Sequence, residues 1–344
     1  MIALQFKVNN FDLIRLLAAA QVVFMHTVHH LNIEVNQTIL NFLDMFPGVA
    51  IFFVVSGFLI SASFERSPSL PFYFFNRALR IFPALWFSFL FSLLTVFTIT
   101  TLSVNWSEFM VWMIAQLTVV QFYNPEFMRG YGVGVLNGSL WTIPVELQFY
   151  LLLPIMYWFF NKLSWHSINI ILFLLILIAI NQFLFFSLET LGRTTITKLA
   201  SVTVFPYLYL FFIGIILQKN KELVERYLSG KFIYIFLIYV GGRMVFSDEF
   251  HSHFDPISSL VLALLVISFA YSHTARLSDI CKGYDISYGI YIYHMIFVNL
   301  FLELALFSPV VSAAWVFSLT VVMAVFSWVF IEKKALAFKS YSLR

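Results

Sequence analysis

Residues 309–331 contain no charged side chain, and neither do residues 81–103. A helix of about 20 apolar residues crosses the roughly 30 Å hydrocarbon core of a bilayer. Lipid offers the backbone no hydrogen bonds, so runs of this length read as helices. Comparable runs occupy 11–31, 45–63, 139–160, 167–187, 202–218, 231–247, 256–273 and 286–304, which makes ten expected spans. A further apolar run, 108–122, is shorter and holds Gln116. It reads either as a crossing or as a half-buried segment. Composition agrees with a life in lipid. Of 344 residues 61% are hydrophobic and 11% charged, whereas a soluble domain carries about 25% charged residues. That excludes an ordinary soluble globule, and disorder too, which needs low hydrophobicity and high charge. The 43 Phe, 16 Tyr and 8 Trp suit aromatic belts at the membrane interfaces. The expected fold is an all-α polytopic membrane protein of about ten transmembrane helices, one integral-membrane domain over 1–344 without a soluble appendage. The single cysteine, Cys281, excludes a disulfide framework and a cysteine-based metal site.

Orientation follows from the placement of Lys and Arg, which accumulate in cytoplasmic loops. With residue 1 inside and 108–122 not crossing, fifteen of the twenty lie inside and four outside, while Arg15 falls within the first span. If 108–122 crosses, every later loop flips, and eight lie inside against eleven outside. The first arrangement is expected, with both termini cytoplasmic. It places the loop bearing Glu249, His251, His253 and Asp255 outside, where it reads as a solvated loop. Ala18-Ala19-Ala20 looks like a signal-peptide cleavage site, but Arg15 breaks the apolar stretch that should precede it, so an uncleaved first span is expected.

Ionisable groups within spans are costly and therefore candidates for function. Arg15 and His26 are eleven positions apart. On an α-helix that is three turns plus about 20°, so both lie on one face, roughly 16 Å apart along the axis. The spacing suits a long ligand that meets a cation near the cytoplasm and a titratable ring deeper in. A bland reading stands beside it with about even weight: Arg15 snorkels to inner headgroups and His26 packs. His29 and His30 add ring partners to His26, but a metal site needs three or four ligands and is not expected.

Other polar features sit at span ends or inside spans. Ser56-Gly57 lies within an apolar run and permits close approach of a helix or a ligand. Arg77 and Arg80, one turn apart, share a face at the start of the third span. The positive-inside rule alone accounts for them, and a phosphate clamp does so equally, because guanidinium forks suit phosphate. Glu146 with Trp141 and Gln148 forms a polar, aromatic patch suited to a sugar ring, although a buried glutamate also pairs with a cation. Ser287, Tyr291 and His294 lie on one helical face.

In their order and spacing these segments resemble the membrane acyltransferase-3 family, the transmembrane O-acyltransferases of bacterial glycans. The resemblance rests on Arg15 and His26, on Phe52-Phe53-Val54-Val55-Ser56-Gly57-Phe58-Leu59-Ile60, and on Arg77-Ala78-Leu79-Arg80-Ile81-Phe82-Pro83. It continues through Trp141–Pro154, Ser287–His294 and Phe330-Ile331-Glu332, and so covers almost the whole chain. It implies ten spans with cytoplasmic termini in a bacterial inner (plasma) membrane. It implies transfer of an acyl group, commonly acetyl, from cytoplasmic acetyl-CoA as co-substrate to a hydroxyl of an extracytoplasmic saccharide such as O-antigen, capsule or exopolysaccharide. By position, Arg15 and His26 match the family's essential pair, Arg77 and Arg80 its nucleotide-side basic pair, and Glu146 its acidic residue. The position before Ile51-Phe52-Phe53 is often acidic or polar in the family, and here it is Ala50. If that side chain orients the histidine in the family, another residue must do so here.

The expected site follows. His26 is general base or transient acyl carrier, with Arg15 and Glu146 as its catalytic companions. Arg77, Arg80, Ser56 and Gly57 face the donor, and Trp141, Tyr150, Tyr291 and His294 face the acceptor. Expected partners are acyl-CoA, a free or lipid-linked saccharide and the bilayer. No nucleic acid, metal or tightly bound cofactor is expected. The rival classes are a carrier or flippase for a lipid-linked or polar solute and a membrane glycan polymerase. A carrier releases no thiol from acyl-CoA, which separates the first of them.

Overall fold

The computed structural model describes residues 8–67, 69–101, 103–163, 165–192, 194–246, 255–281 and 283–339. Glu249, His251 and His253 of the expected outer loop lie outside these residues. The helices are, in chain order, α1 (Phe11–His30), α2 (Gln37–Asp44), α3 (Gly48–Glu65), α4 (Leu70–Ile99), α5 (Trp106–Leu117), α6 (Thr142–Leu163), α7 (Ser167–Leu191), α8 (Thr195–Ser201), α9 (Leu208–Lys219), α10 (Phe232–Val245), α11 (Pro256–Ala270), α12 (Ser287–Leu304) and α13 (Pro309–Ser327). Short helical turns such as Gly138–Trp141 lie between them, and Lys333–Ala337 follows α13. No strand occurs among the described residues.

Among the described residues six helical stretches are long and apolar enough to cross a bilayer, or seven if Lys221–Leu228 and Phe232–Val245, bent by 82°, form one span. The other expected runs fold as the shorter helices α9 to α12, with 12, 14, 15 and 18 residues. Large apolar side chains point outward along α7, where Ile168, Ile171, Leu175, Phe183 and Phe186 are exposed and only Leu177 and Asn181 are buried. An apolar surface of this extent needs lipid around it.

Two compact units result. The first draws its described residues from Met1–Ala18, Asn41–Pro68 and Val145–Gly283, and the second from Ala19–Leu40, Ser69–Pro144 and Tyr284–Arg344. In the first unit α3 and α9 run parallel in close contact. Phe53 packs on Tyr207 and Phe211 (ring centroids 5.3 and 4.8 Å) toward one end, and Glu65 bonds Gln218 (2.9 Å) and Lys219 at the other. A Cβ on Gly57 would strike the Phe211 carbonyl, and one on Gly214 the Val54 carbonyl, so two glycines allow the backbones to touch. The 12 residues of α9 rise only about 18 Å, short of a bilayer core. The chain before it is irregular and partly buried, and side-chain amides satisfy it. Gln148 bonds Val202 O (3.2 Å) and Val204 N (3.0 Å), and Asn181 donates to Pro206 O (2.7 Å). Irregular backbone at membrane depth survives only where protein meets its hydrogen bonds in this way.

In the second unit α4 and α12 run parallel. Arg80 meets Asp285, Ser88 donates to Ile292 O (3.3 Å), and Phe91 packs on Phe297 (5.9 Å). α13 lies antiparallel on both, with Ala324 against Gly289 and Phe326 against Phe87 (5.8 Å). Asn105 caps α5, whose 12 residues fold back along α4 from Phe97 (Phe97–Phe109, 6.1 Å) to mid-helix, where Trp86 Nε1 donates to Leu117 O (2.9 Å). The chain then returns past Trp112, and Gly132 N and Val133 N reach Glu303 (3.2 Å) and Asn299 (3.0 Å) near the far end of α12. The run 108–122 is therefore a hairpin that enters and leaves at the same end of α4.

Candidate active site

The second unit holds the principal histidine cluster. α1 is an unbroken helix, and helical spacing sets Arg15 and His26 on one face of it. Arg15 lies in the first unit's portion of α1 with Asp12 one turn before it (3.9 Å). Nδ1 of His26 lies 2.9 Å from Nε2 of His294, and Nδ1 of His294 lies 2.7 Å from the Tyr291 carbonyl oxygen. His294 is fully buried, while His30 sits beside His26 with ring centroids 5.8 Å apart. His29, further out, is exposed. His294, expected to face the acceptor, is thus the immediate neighbour of His26. Tyr291 is engaged elsewhere. Its hydroxyl donates to Ser139 O (2.8 Å) and lies 2.8 Å from Thr142 Oγ1, bracing the turn Gly138–Trp141 that leads into α6. Trp141, at the end of that turn, is half-buried.

The cation cluster lies at the N-terminal end of α4 and α12. Arg80 bonds Asp285 (2.6 Å) and faces Glu332 (3.7 Å). Asp285 also accepts from Ser287 Oγ (2.7 Å), and Glu332 from Ser327 Oγ (3.0 Å). Lys339 lies near Arg77 and Arg80. Burial first, and then repulsion from these two guanidinium groups, lowers its pKa to about 8. Asp285 and Lys339 escape notice in the sequence, because both look like ordinary charges in a cytoplasmic loop and tail. Asp285 lies two residues before α12 and nine before His294, a step of about 14 Å at helical rise. Arg80, tied to Asp285 just before α12, and His26, paired with His294 on α12, are thus held by one stretch of chain at the separation of a long ligand's two ends.

The first unit holds the second polar cluster. Ser56 Oγ donates to Glu146 Oε1 (3.3 Å), and Tyr150 OH donates to the same oxygen (2.5 Å). Tyr150 is buried and acts on the carboxylate one turn before it. Gln148, grouped with these residues in the sequence reading, instead holds the irregular chain before α9. Gly57 abuts α9, so its face is filled by protein. Ala50 is fully buried. Among the described residues no group of three or more His, Cys, Asp or Glu is arranged to hold a metal ion.

Residues 8–332 match the acyltransferase-3 family model, described as an acyltransferase domain. The chain belongs to the acyltransferase-3 family. Nodulation protein 10 of Rhizobium leguminosarum bv. viciae is similar to this acyltransferase at 31% identity over 356 aligned positions, covering 96% of this chain and 94% of that protein. The O-acetyl transferase of Shigella phage Sf6 is 33% identical over 154 positions, 42% of this chain and 45% of that protein. No solved structure matches the chain. With its apolar helices, family membership makes this a multi-pass membrane acyltransferase.

Proposed function

We propose that this acyltransferase moves an acyl group, acetyl in the simplest case, from cytoplasmic acyl-CoA to a hydroxyl of an extracytoplasmic saccharide, free or lipid-linked. The observation that carries this reading is the pairing of His26 with His294 in a unit that also bears Arg77, Arg80 and Lys339. Arg77 and Lys339 supply charge for the donor's phosphates, while Arg80, bound to Asp285, fixes the geometry of that end. His26 accepts the acceptor's hydroxyl proton as the oxygen attacks the thioester carbonyl. The new C–O bond forms, the C–S bond breaks, and the proton passes from the imidazole to the leaving thiolate. Atoms balance as acyl ester and free CoA, with no tightly bound cofactor. Thiolate leaves readily, so the protein's main task is to position two substrates and exclude water. Glu146, held by Ser56 and Tyr150 within the first unit, is the carboxylate proposed to orient acceptor hydroxyls.

We further propose ten spans with cytoplasmic termini in a bacterial inner membrane, forming one integral-membrane domain. The hairpin of α5 supports this count, because removing 108–122 as a crossing restores the excess of inside cations. So does the parallel course of α4 and α12, the third and ninth of ten spans. The phage relative's name supports acetyl as the group moved. Mass spectrometry of surface glycans from cells with and without the gene tests the reaction. Loss of one acetyl group per modified sugar in the deletion strain is expected, and identical glycans would overturn the acceptor class.

A further inference from the structure

The proton positions in the histidine pair follow from the partner at its far end. A carbonyl oxygen has lone pairs and no hydrogen to give. The 2.7 Å contact between Nδ1 of His294 and the Tyr291 carbonyl therefore requires hydrogen on that nitrogen. A neutral imidazole carries one N–H, so Nε2 of His294 presents a lone pair. That lone pair faces Nδ1 of His26 at 2.9 Å, which places the His26 hydrogen on Nδ1. The remaining nitrogen, Nε2 of His26, is then the basic atom. We propose that His294 is a positioning residue that locks His26 in its Nδ1–H form and so makes Nε2 of His26 the atom that takes the acceptor's proton.

This inference rests on the reading of His26 as the base. It supplies the orienting partner that Ala50 does not provide. The logic is that of any base held by a hydrogen bond to its second nitrogen, but the orienting group is a neutral imidazole anchored to backbone in place of a carboxylate. Complete burial of His294 and its link to the carbonyl one turn back fix its ring, so its Nε2 lone pair stays aimed at His26. As His26 gains a proton, its Nδ1–H bond to His294 becomes charge-assisted and strengthens. His30 is the other titratable ring near His26, with centroids 5.8 Å apart.

The test compares wild type, His294→Gln and His294→Leu in detergent or nanodiscs. The glutamine side-chain oxygen reaches the place of Nε2 and accepts from His26, whereas leucine accepts nothing. Acyl-CoA-dependent transfer is expected to lose about 10²- to 10⁴-fold in kcat with leucine, the range for a positioned proton acceptor. KM for the donor should be unchanged, and glutamine should restore most of kcat. Imidazole ¹⁵N spectra of the wild type should show His26 protonated at Nδ1 alone. An Nε2–H form of His26 in that spectrum overturns the proposal, as does a leucine variant with wild-type kcat or with only a raised KM. The spectrum needs no turnover and no variant. Full activity of His26→Ala would instead sink the general-base reading and leave the tautomer measurement standing.

Discussion

If Lys339 meets the donor's phosphates as proposed, donor binding carries a pH signature. The lysine's lowered pKa of about 8 means that its positive charge is lost as pH rises through that value. A bound phosphate favours the charged form, so donor affinity is greatest below the transition and falls above it. KM for acetyl-CoA should therefore climb as pH passes through about 8, and Lys339→Met should show a raised, flat KM across the same window. An unaltered pH profile in that variant would remove Lys339 from the donor site. At this scale the sequence revealed which residues are unusual but not which of them meet. Helical spacing selected Arg15 and His26, and Ser287, Tyr291 and His294 as a face. What that face touches is a long-range fact: His26 and His294 are 268 positions apart. Nothing in either segment says that one imidazole holds the other, nor that the Tyr291 hydroxyl bonds the turn before α6.

Among the elements, the tightest packing lies where α3 meets α9. Gly57 and Gly214 bring backbone against backbone, so any side chain must push the helices apart. Gly57→Leu should destabilise the fold by about 1–3 kcal/mol or more, read as a lower midpoint of thermal unfolding in detergent. A variant with unchanged midpoint would mean that the helices separate at no cost. The Ser56-Gly57 pair was legible as a point of close approach, with helix packing the usual reading and a ligand the other. The helix occupies it. The shortened helices were not legible, because an apolar run looks the same whether its residues are helical or irregular. Residues 202–207 pass as part of a span until Gln148 and Asn181 are seen bonding their backbone. The same applies to 108–122, where Gln116 reaches the carbonyls of Gln121 (3.1 Å) and Tyr123 (3.0 Å) and closes the hairpin. Polar amides here serve irregular backbone, Gln148 and Asn181 from the middle of neighbouring helices and Gln116 from within its own.

For the molecule as a whole, the distribution of cations and the course of the helices agree independently. Counting Lys and Arg favours a non-crossing 108–122, and the return of α5 along α4 gives that segment its shape. All-helical architecture was legible because an uncharged run of twenty or more residues has few other folds in lipid. The proposed reaction uses this architecture to join a charged thioester donor in the cytoplasm to an alcohol on the other side. Its most direct measurement is transfer of radiolabelled acetyl from acetyl-CoA to surface glycan by the purified protein in liposomes, wild type against His26→Ala. Acceptor-dependent labelling with matching release of CoA thiol should occur in the wild type, and the variant should fall to background while keeping its unfolding midpoint. Labelling by His26→Ala at the wild-type rate, or none by the wild type with any glycan hydroxyl, would contradict the account.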